Sequence, residues 1–101
     1  MARRAAKVDE TQSDIVSHLR GCGWSVCLTH AVGGGAPDAF ASRLGHTAAL
    51  EFKTGRRQIN EFQRKFRDNW RGAYFVVRSP DDAERQLTLW LLSLAPLKLT
   101  S

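Results

Sequence analysis

The feature that most constrains the fold of this chain is residues 33–53, which read GGGAPDAFASRLGHTAALEFK. A glycine-rich loop is followed by two strand-like runs that are joined by a tight turn near Gly45. Because side chains alternate between the two faces of a strand, Ala49, Glu51 and Lys53 share one face of the second run. The apolar residues between them point the other way and can enter a core. The stretch therefore predicts a β-hairpin with one charged face.

The position of the turn decides which residues of the hairpin lie opposite one another. A turn at residues 44–45 places Asp38 opposite Glu51, and a turn at residues 45–46 places Asp38 opposite Lys53. Directly opposed residues point to the same face of the sheet. Either register therefore predicts that two carboxylates and one ammonium group form a single cluster.

A cluster of this composition suits the chemistry of phosphate esters. Carboxylate oxygens hold Mg²⁺, which keeps several waters and also contacts phosphate groups. The bound metal lowers the pKa of a water molecule and stabilises charge that grows on a phosphoryl oxygen. A nearby lysine can orient or deprotonate the attacking water. The same residues would also suit a surface hairpin with a cross-strand salt bridge, so the cluster alone leaves both interpretations open.

The residues around the cluster carry a resemblance to a known family. The sequence P-D at residues 37–38 is followed by E-x-K at residues 51–53 and by a glutamine, Gln63, in a predicted helix. This order resembles the PD-(D/E)xK nuclease superfamily and in particular its VRR-Nuc branch, which the G-x-P-D form of residues 35–38 also fits. The resemblance covers roughly residues 8–85 and implies metal-dependent hydrolysis of DNA phosphodiesters.

The resemblance also implies which residues would hold the metal. Asp38 and Glu51 would bind Mg²⁺, for which Mn²⁺ could substitute, and the main-chain carbonyl of Phe52 would be a third ligand. The first helix of such nucleases often supplies a further glutamate, and Glu10 matches that position. An ordinary acidic residue in the first turn of a helix is an equally good interpretation of Glu10.

The remaining residues of the implied site would handle water and DNA. Lys53 would position or activate the attacking water, and Gln63 would hold a phosphate or support that water. Basic side chains near the motif are expected to contact the DNA backbone, which positions a duplex without reading its sequence. These predicted DNA-binding residues are Arg56, Arg57, Arg64, Lys65 and Arg67.

The pattern of apolar residues along the chain predicts the order α-β-β-β-α-β-α. Helices are expected at residues 8–20, 59–71 and about 79–93, with strands at residues 24–29 and 73–77 in addition to the hairpin. The continuous apolar run at residues 73–77 predicts a central strand that is covered on both faces. This arrangement is an α/β fold, the restriction-endonuclease-like core in minimal form, with a mixed sheet flanked by helices.

Two predicted helices have apolar faces with more than one interpretation. Phe62, Phe66 and Trp70 recur every four residues, which favours a place in the core over a platform for stacking bases. The last helix is apolar around too much of its circumference for the surface of a monomer, and Leu89 and Leu92 lie outside its core-facing stripe. That excess predicts a homodimer interface, a docking face for a larger protein, or a surface covered by a terminal strand.

Composition limits the class of protein and of partner. A chain of 101 residues forms one small domain, here predicted as a flexible basic arm at residues 1–7 and a domain at residues 8–101. The net charge of +5 and the pI of about 9.9 favour an anionic partner, usually nucleic acid. Cys22 and Cys27 are expected to be buried free thiols rather than a disulfide or a zinc site. The sequence has no membrane span or secretion signal, so we expect a cytoplasmic protein.

Together these observations predict a metal-dependent, structure-specific DNA endonuclease. A small domain with a dimer face suggests paired cuts in branched DNA, as in the resolution of Holliday junctions. Three alternatives remain open at this point. They are a nuclease for flaps, nicks or plain duplex, a non-catalytic module that binds nucleic acid, and an interaction subunit with the same fold.

Overall fold

A computed structural model describes residues 2–29 and 32–94, and it describes side chains from residue 11 onward. The elements follow the predicted order α-β-β-β-α-β-α, which is confirmed. They are α1 (Ala2–Gly21), β1 (Ser25–Leu28), β2 (Ala39–Arg43), β3 (His46–Phe52), α2 (Glu61–Asn69), β4 (Ala73–Val77) and α3 (Pro80–Leu94). The protein is therefore a small α/β fold.

The four strands form one mixed sheet in the order β1-β2-β3-β4. The pairs β1–β2 and β2–β3 are antiparallel, whereas β4 runs parallel to β3. The prediction of a central position for β4 is wrong for the sheet that the described residues form, because β4 lies at its end. The apolar run of β4 has another cause: Phe75 packs against the core on one face, and Tyr74 contacts Phe66 of α2 on the other.

The two faces of the sheet are packed against different helices. On one face, α1 and α3 enclose the core, whose fully buried members include Ile15, Leu19, Leu50 and Leu87. On the other face lies α2, which reaches the sheet through ring contacts and through a hydrogen bond to Glu51. The alternation of β3 therefore sends Leu50 into the core and Glu51 towards α2, as its sequence predicts.

The turn of the hairpin selects one of the two predicted registers. Arg43 pairs with His46, so the turn consists of Leu44 and Gly45, with φ angles of 55° and 82°. Two consecutive positive φ angles are typical of the type I′ turn, whose twist matches that of the flanking strands. In this register Ala39 pairs with Leu50, and the next position outward brings Asp38 opposite Glu51.

The first helix begins earlier than its apolar stripe predicts. Helix α1 starts at Ala2 rather than at residue 8, because the chain between them contains good helix formers and no Gly or Pro. The side chain of Glu10, a predicted metal ligand, lies outside the described residues. The division into an arm at residues 1–7 and a domain at residues 8–101 stays a prediction.

Two predictions of burial are wrong. None of the nine residues of α2, all of which the structure describes, is buried, although Phe62, Phe66 and Trp70 were expected in the core. The helix is too short to be enclosed, and its rings contact Phe40 and one another from the side of the sheet alone. Cys27 is exposed and not buried, because only one face of the edge strand β1 meets the core.

Gly35 brings the glycine-rich loop into backbone contact with the start of α2. Its φ is +86°, and an added Cβ would lie 2.4 Å from the carbonyl oxygen of Phe62. We therefore expect Gly35→Ala to cost about 3 kcal/mol of stability, from the positive φ and from the steric clash together. The corresponding fall in Tm would be on the order of 15 °C.

Gly34→Ala is the matched control for Gly35→Ala. Gly34 has a φ of +66° and open space around it, so its substitution carries only the cost of the positive φ, about 1 kcal/mol. Thermal unfolding of both variants measures the difference. Equal losses of Tm would show that the loop does not press against α2.

Candidate active site

Asp38 stands directly before β2 and is held by three hydrogen bonds to main-chain groups, with a fourth bond at the neighbouring Pro37. Its own N–H donates to the carbonyl of Leu50 at 3.0 Å, and its carbonyl accepts from the N–H of Thr29 at 2.7 Å. The carboxylate oxygen Oδ2 accepts from the N–H of Phe52 at 2.8 Å. The hydroxyl of Thr29 donates to the carbonyl of Pro37 at 2.7 Å, which anchors the P-D pair. The structure thus brings the main-chain N–H of Phe52 against the Asp38 carboxylate, whereas the role of the Phe52 carbonyl as a metal ligand stays a prediction.

Glu51 lies at the centre of the predicted cluster and is almost fully buried, with 2% exposure. Its Oε2 accepts a hydrogen bond from Nε2 of Gln63 at 2.6 Å and lies 3.9 Å from Nζ of Lys53. Its Oε1 is buried and has no hydrogen-bond partner among the residues that the structure describes. The hairpin therefore gathers Asp38, Glu51 and Lys53 on one face, as the sequence predicts.

The environment of Glu51 strongly favours its protonated form. Burial raises its pKa from 4.5 to about 8, and contact with the Asp38 carboxyl group and its charge act in the same direction. The ammonium group of Lys53 lowers the pKa but does not compensate for these effects. A carboxyl group held in this state near a second one is a common feature of functional sites.

The residues of the cluster fit a divalent cation with oxygen ligands. Two carboxyl groups meet there, and the buried Oε1 of Glu51 lacks the partner that a buried polar atom normally has. Carboxylate oxygen is the donor that Mg²⁺ and Mn²⁺ prefer. Asp38 and Glu51 are thus the residues that would hold such an ion.

Gln63 connects Glu51 to the start of α2. Its side-chain oxygen accepts from the N–H of Asn60 at 2.8 Å, while its own N–H donates to the Asn60 side chain at 2.9 Å. This reciprocal pair is a capping box. Because the other end of the amide donates to Glu51, both ends of the Gln63 side chain are occupied. The arrangement gives Gln63 the role of a positioning residue. Its amide nitrogen carries a second N–H, so a role in holding a phosphate or water stays a prediction.

We expect Gln63→Leu to lower the affinity for Mg²⁺ and to leave most of the cleavage activity at saturating Mg²⁺. The change removes the donor to Glu51 and half of the capping box, which would cost about 2 kcal/mol of stability. Metal affinity would fall about tenfold, as is usual when a partner of a ligand is lost. Titration of cleavage and of Tm with Mg²⁺ would show a shifted midpoint, with most activity restored at saturation.

Gln58→Leu is the matched control, since Gln58 is exposed and donates only to the carbonyl of Arg56 at 3.2 Å. Its Mg²⁺ midpoint is expected to match that of the wild type. Loss of activity in Gln63→Leu at saturating Mg²⁺, with an unchanged midpoint, would contradict the positioning role.

Tyr74 belongs to this site and was missed from the sequence. It pairs with Ala49, so its side chain shares the face of Glu51, and its buried hydroxyl has no hydrogen-bond partner among the described residues. Burial raises the pKa of Tyr74 to about 12, and the charges of Glu51 and Asp38 act in the same direction against that of Arg67. The only signal in the sequence was a single hydroxyl in the apolar run of β4.

Two adjoining grooves open near this cluster, and Asp38 lines the first of them. The first, of about 480 Å³, is lined by the glycine-rich loop together with Asp38, Phe62 and Gln63. The second, of about 330 Å³, is lined mainly by Phe62, Lys65 and Trp70. Gly34 and Phe62 line both grooves, which are therefore neighbours.

The predicted DNA-binding residues are all exposed, but they differ in their surroundings. Arg57 lines a small cavity with Lys53, and Lys65 lines the second groove. Arg67 forms an ion pair with Asp68 at 3.1 Å, which reduces its free charge. Arg56 and Arg64 are the other members of this set.

A contact that the sequence did not indicate holds the basic loop, residues 54–58. The guanidinium group of Arg78 donates to the carbonyls of Gly55 and Arg57 at 3.0 and 2.6 Å. The loop is therefore tied to the end of β4, next to the strand that carries E-x-K.

A second group of ligand-type side chains links α1 to α3. Donor atoms of His18, Cys22 and Glu84 lie within 4.8 Å of one another, and His18 Nε2 and Glu84 Oε1 are 2.6 Å apart. A nitrogen, a sulfur and an oxygen suit Zn²⁺ better than Mg²⁺. The group shares no residue with the cluster around Glu51 and does not bear on its metal.

Across its described residues, the protein has no helix that is both long and apolar enough to cross a membrane. The chain matches no protein-family model, no curated protein and no solved structure. Any function assigned to it therefore depends on the side chains described above.

Proposed function

We propose that this protein is a metal-dependent DNA endonuclease that uses Mg²⁺, for which Mn²⁺ can substitute. The observation that carries the proposal is Glu51, a buried carboxyl group held between Asp38 and Lys53 beside an open groove. One of its oxygens has no hydrogen-bond partner among the residues that the structure describes. Burying the carboxyl group of Glu51 next to the partly buried Asp38 destabilises a small domain. Such an arrangement is typical of sites that bind a cation and act on phosphate esters.

Each residue of the cluster would have a separate role in hydrolysis. When bound by Asp38 and Glu51, the metal would supply a water of lowered pKa and would stabilise charge on the phosphoryl oxygen. Lys53, with its ammonium group 3.9 Å from Glu51, would orient the attacking water from the same face. Gln63 would hold Glu51 in place through its amide, and the N–H of Phe52 would hold Asp38.

Branched DNA is the substrate class that we propose. Arg56 and Arg57 lie in the basic loop, and Lys65 lines the second groove. Arg64 is exposed on α2, and all four cations would contact phosphates. The resemblance to VRR-Nuc nucleases favours a structure-specific enzyme that acts in the cytoplasm, with four-way junctions, flaps and nicks as the candidate substrates.

We further propose that α3 forms a homodimer. Ala83 and Leu87 of this helix are buried in the core, whereas Leu89 is 58% exposed and Leu92 is similarly exposed. A two-fold axis on this face would give a pair of sites for two cuts in a branched substrate. Light scattering at several concentrations tests the proposal, and a monomer at all of them would rule it out.

The test of the catalytic proposal is cleavage of labelled four-way junction, flap, nicked, duplex and single-stranded DNA. Each is incubated with Mg²⁺, with Mn²⁺ or with EDTA. Cuts that need the metal support a nuclease. Salt-sensitive binding of DNA without any cut would instead support a non-catalytic binding module.

A further inference from the structure

We propose that the second groove, which is lined by Gly34 and by the ring-bearing face of α2 with Trp70, holds an unpaired nucleobase next to the phosphate that is cut. The inference rests on the proposed function and narrows its substrate class. It favours DNA with a single-stranded nucleotide at the cleavage position, such as a flap, over a fully paired junction or duplex.

The rings that line this groove are exposed although they are large and apolar. Phe62 is 64% exposed, and Trp70 is exposed as well. An isolated exposed ring needs no explanation, but a group of rings on a helix with no buried residue indicates a binding surface. Because the sheet supports these rings from one side only, their other side is free to contact a ligand.

The rings are also held rigidly, as a stacking surface requires. Trp70 stacks on Phe66 with centroids 5.4 Å apart and planes inclined by 23°, and it contacts Phe40 at 5.7 Å. Its indole N–H donates to the carbonyl of Ala73 at 3.0 Å. A preorganised aromatic surface loses little conformational entropy when a planar ligand stacks on it.

The position of the groove points to a nucleotide. It adjoins the groove of Asp38 and Gln63, with Gly34 and Phe62 lining both. A base in the second groove would therefore leave its phosphate on the side of the carboxyl cluster. The volume of about 330 Å³ is sufficient for one base.

Charge selects a nucleotide over an apolar segment of a partner protein. Lys65 lines the groove, and the nearby Asp68 is already paired with Arg67. An aromatic surface bordered by a cation matches the combination of a flat base with an anionic backbone. Bases in a duplex are stacked on one another, so only an unpaired base can enter.

The experiment separates binding from cleavage by using Glu51→Gln, which is expected not to cut. Fluorescence anisotropy measures the affinity of this protein for a flap substrate and for a fully paired duplex of equal length. A 2-aminopurine at the first unpaired position reports stacking through quenching of its fluorescence. Phe62→Ala, added to Glu51→Gln, is expected to weaken flap binding about tenfold, to leave duplex binding unchanged and to abolish the quenching.

Two further substitutions, each added to Glu51→Gln, test whether flap binding requires the aromatic ring at position 62. Phe62→Leu keeps the apolar bulk without a ring and is expected to behave like Phe62→Ala. Leu44→Ala removes an exposed apolar side chain from the hairpin turn, outside α2 and α3, and is expected to bind both substrates as the parent does.

The outcomes distinguish this inference from the proposed function. Equal affinity for flap and duplex, or a loss at Phe62→Ala that is the same for both, would overturn the inference even if the wild type cuts DNA. A flap preference that depends on Phe62 would uphold it as a binding site even if no substrate is cleaved, in which case the catalytic proposal alone fails.

Discussion

Glu51→Gln is expected to lower metal-dependent cleavage by about 1000-fold or more, while the protein remains folded. Glutamine has the shape of glutamate and its side-chain oxygen can still accept the hydrogen bond from Gln63, so the packing around β3 is kept. The substitution removes the negative charge on which a cation at the cluster with Asp38 would depend. Single-turnover cleavage of a labelled branched DNA at saturating Mg²⁺ gives the rate, and calorimetry gives the metal affinity.

Glu61→Gln is the matched control for this experiment. Glu61 is an exposed acid in the first turn of α2, two positions before Gln63, and it makes the same change from acid to amide outside the cluster. Its cleavage rate is expected to stay within about twofold of the wild type, since a single exposed charge contributes little. If Glu51→Gln cuts as well as Glu61→Gln, the carboxyl cluster does not catalyse the reaction.

The second prediction concerns the pH dependence of stability without metal. The pKa of Glu51 is raised from 4.5 to about 8 in the folded protein, mainly by burial. Between these values the unfolded chain has released the proton that the folded chain still holds. The folded state therefore binds more protons, and its free energy of unfolding falls as the pH rises through this window. Below pH 4.5 and above pH 8 this group adds no further change.

The expected size is a fall in Tm on the order of 20 °C between pH 4.5 and pH 8.5 in EDTA. Tryptophan fluorescence of thermal unfolding measures it. In Glu51→Gln the fall in Tm that is due to Glu51 should disappear, so that the variant is more stable than the wild type at pH 8.5. Glu61→Gln should show the same fall in Tm as the wild type. Parallel curves for the wild type and Glu51→Gln would show that Glu51 ionises normally.

Metal is expected to reverse the loss of stability. A cation binds the ionised carboxylates, so binding releases the proton of Glu51 and becomes tighter as the pH rises. Saturating Mg²⁺ should then raise Tm more at pH 8 than at pH 5, by mass action on the folded state. An increase of the same size at both pH values would mean that Glu51 is not a ligand.

The local features of this protein could be predicted from its sequence. The alternation of residues 46–53 fixed which side chains share a face, because the period of a strand is a property of the backbone. Asn60 and Ser79 cap α2 and α3, as residues of these types commonly do, since their side chains accept hydrogen bonds from main-chain N–H groups three residues later. The amphipathic stripe of α3 correctly separated buried Leu87 from exposed Leu89.

Longer-range features were decided by the tertiary structure. Only the packed hairpin selects Leu44 and Gly45 as the turn, and with it the contact between Asp38 and the N–H of Phe52. Only the docking of α2 on the sheet occupies both ends of the Gln63 amide.

The burial of side chains was likewise decided by the tertiary structure and not by the sequence pattern alone. The sequence pattern marked the rings of α2 as apolar, but the short helix covers one side of them and leaves Phe62 exposed. Tyr74 shares the sheet face of the carboxyl cluster because β4 runs parallel to β3 and pairs Tyr74 with Ala49. Periodicity determines which face a side chain is on, whereas its neighbours across that face depend on contacts between residues that are distant in the sequence.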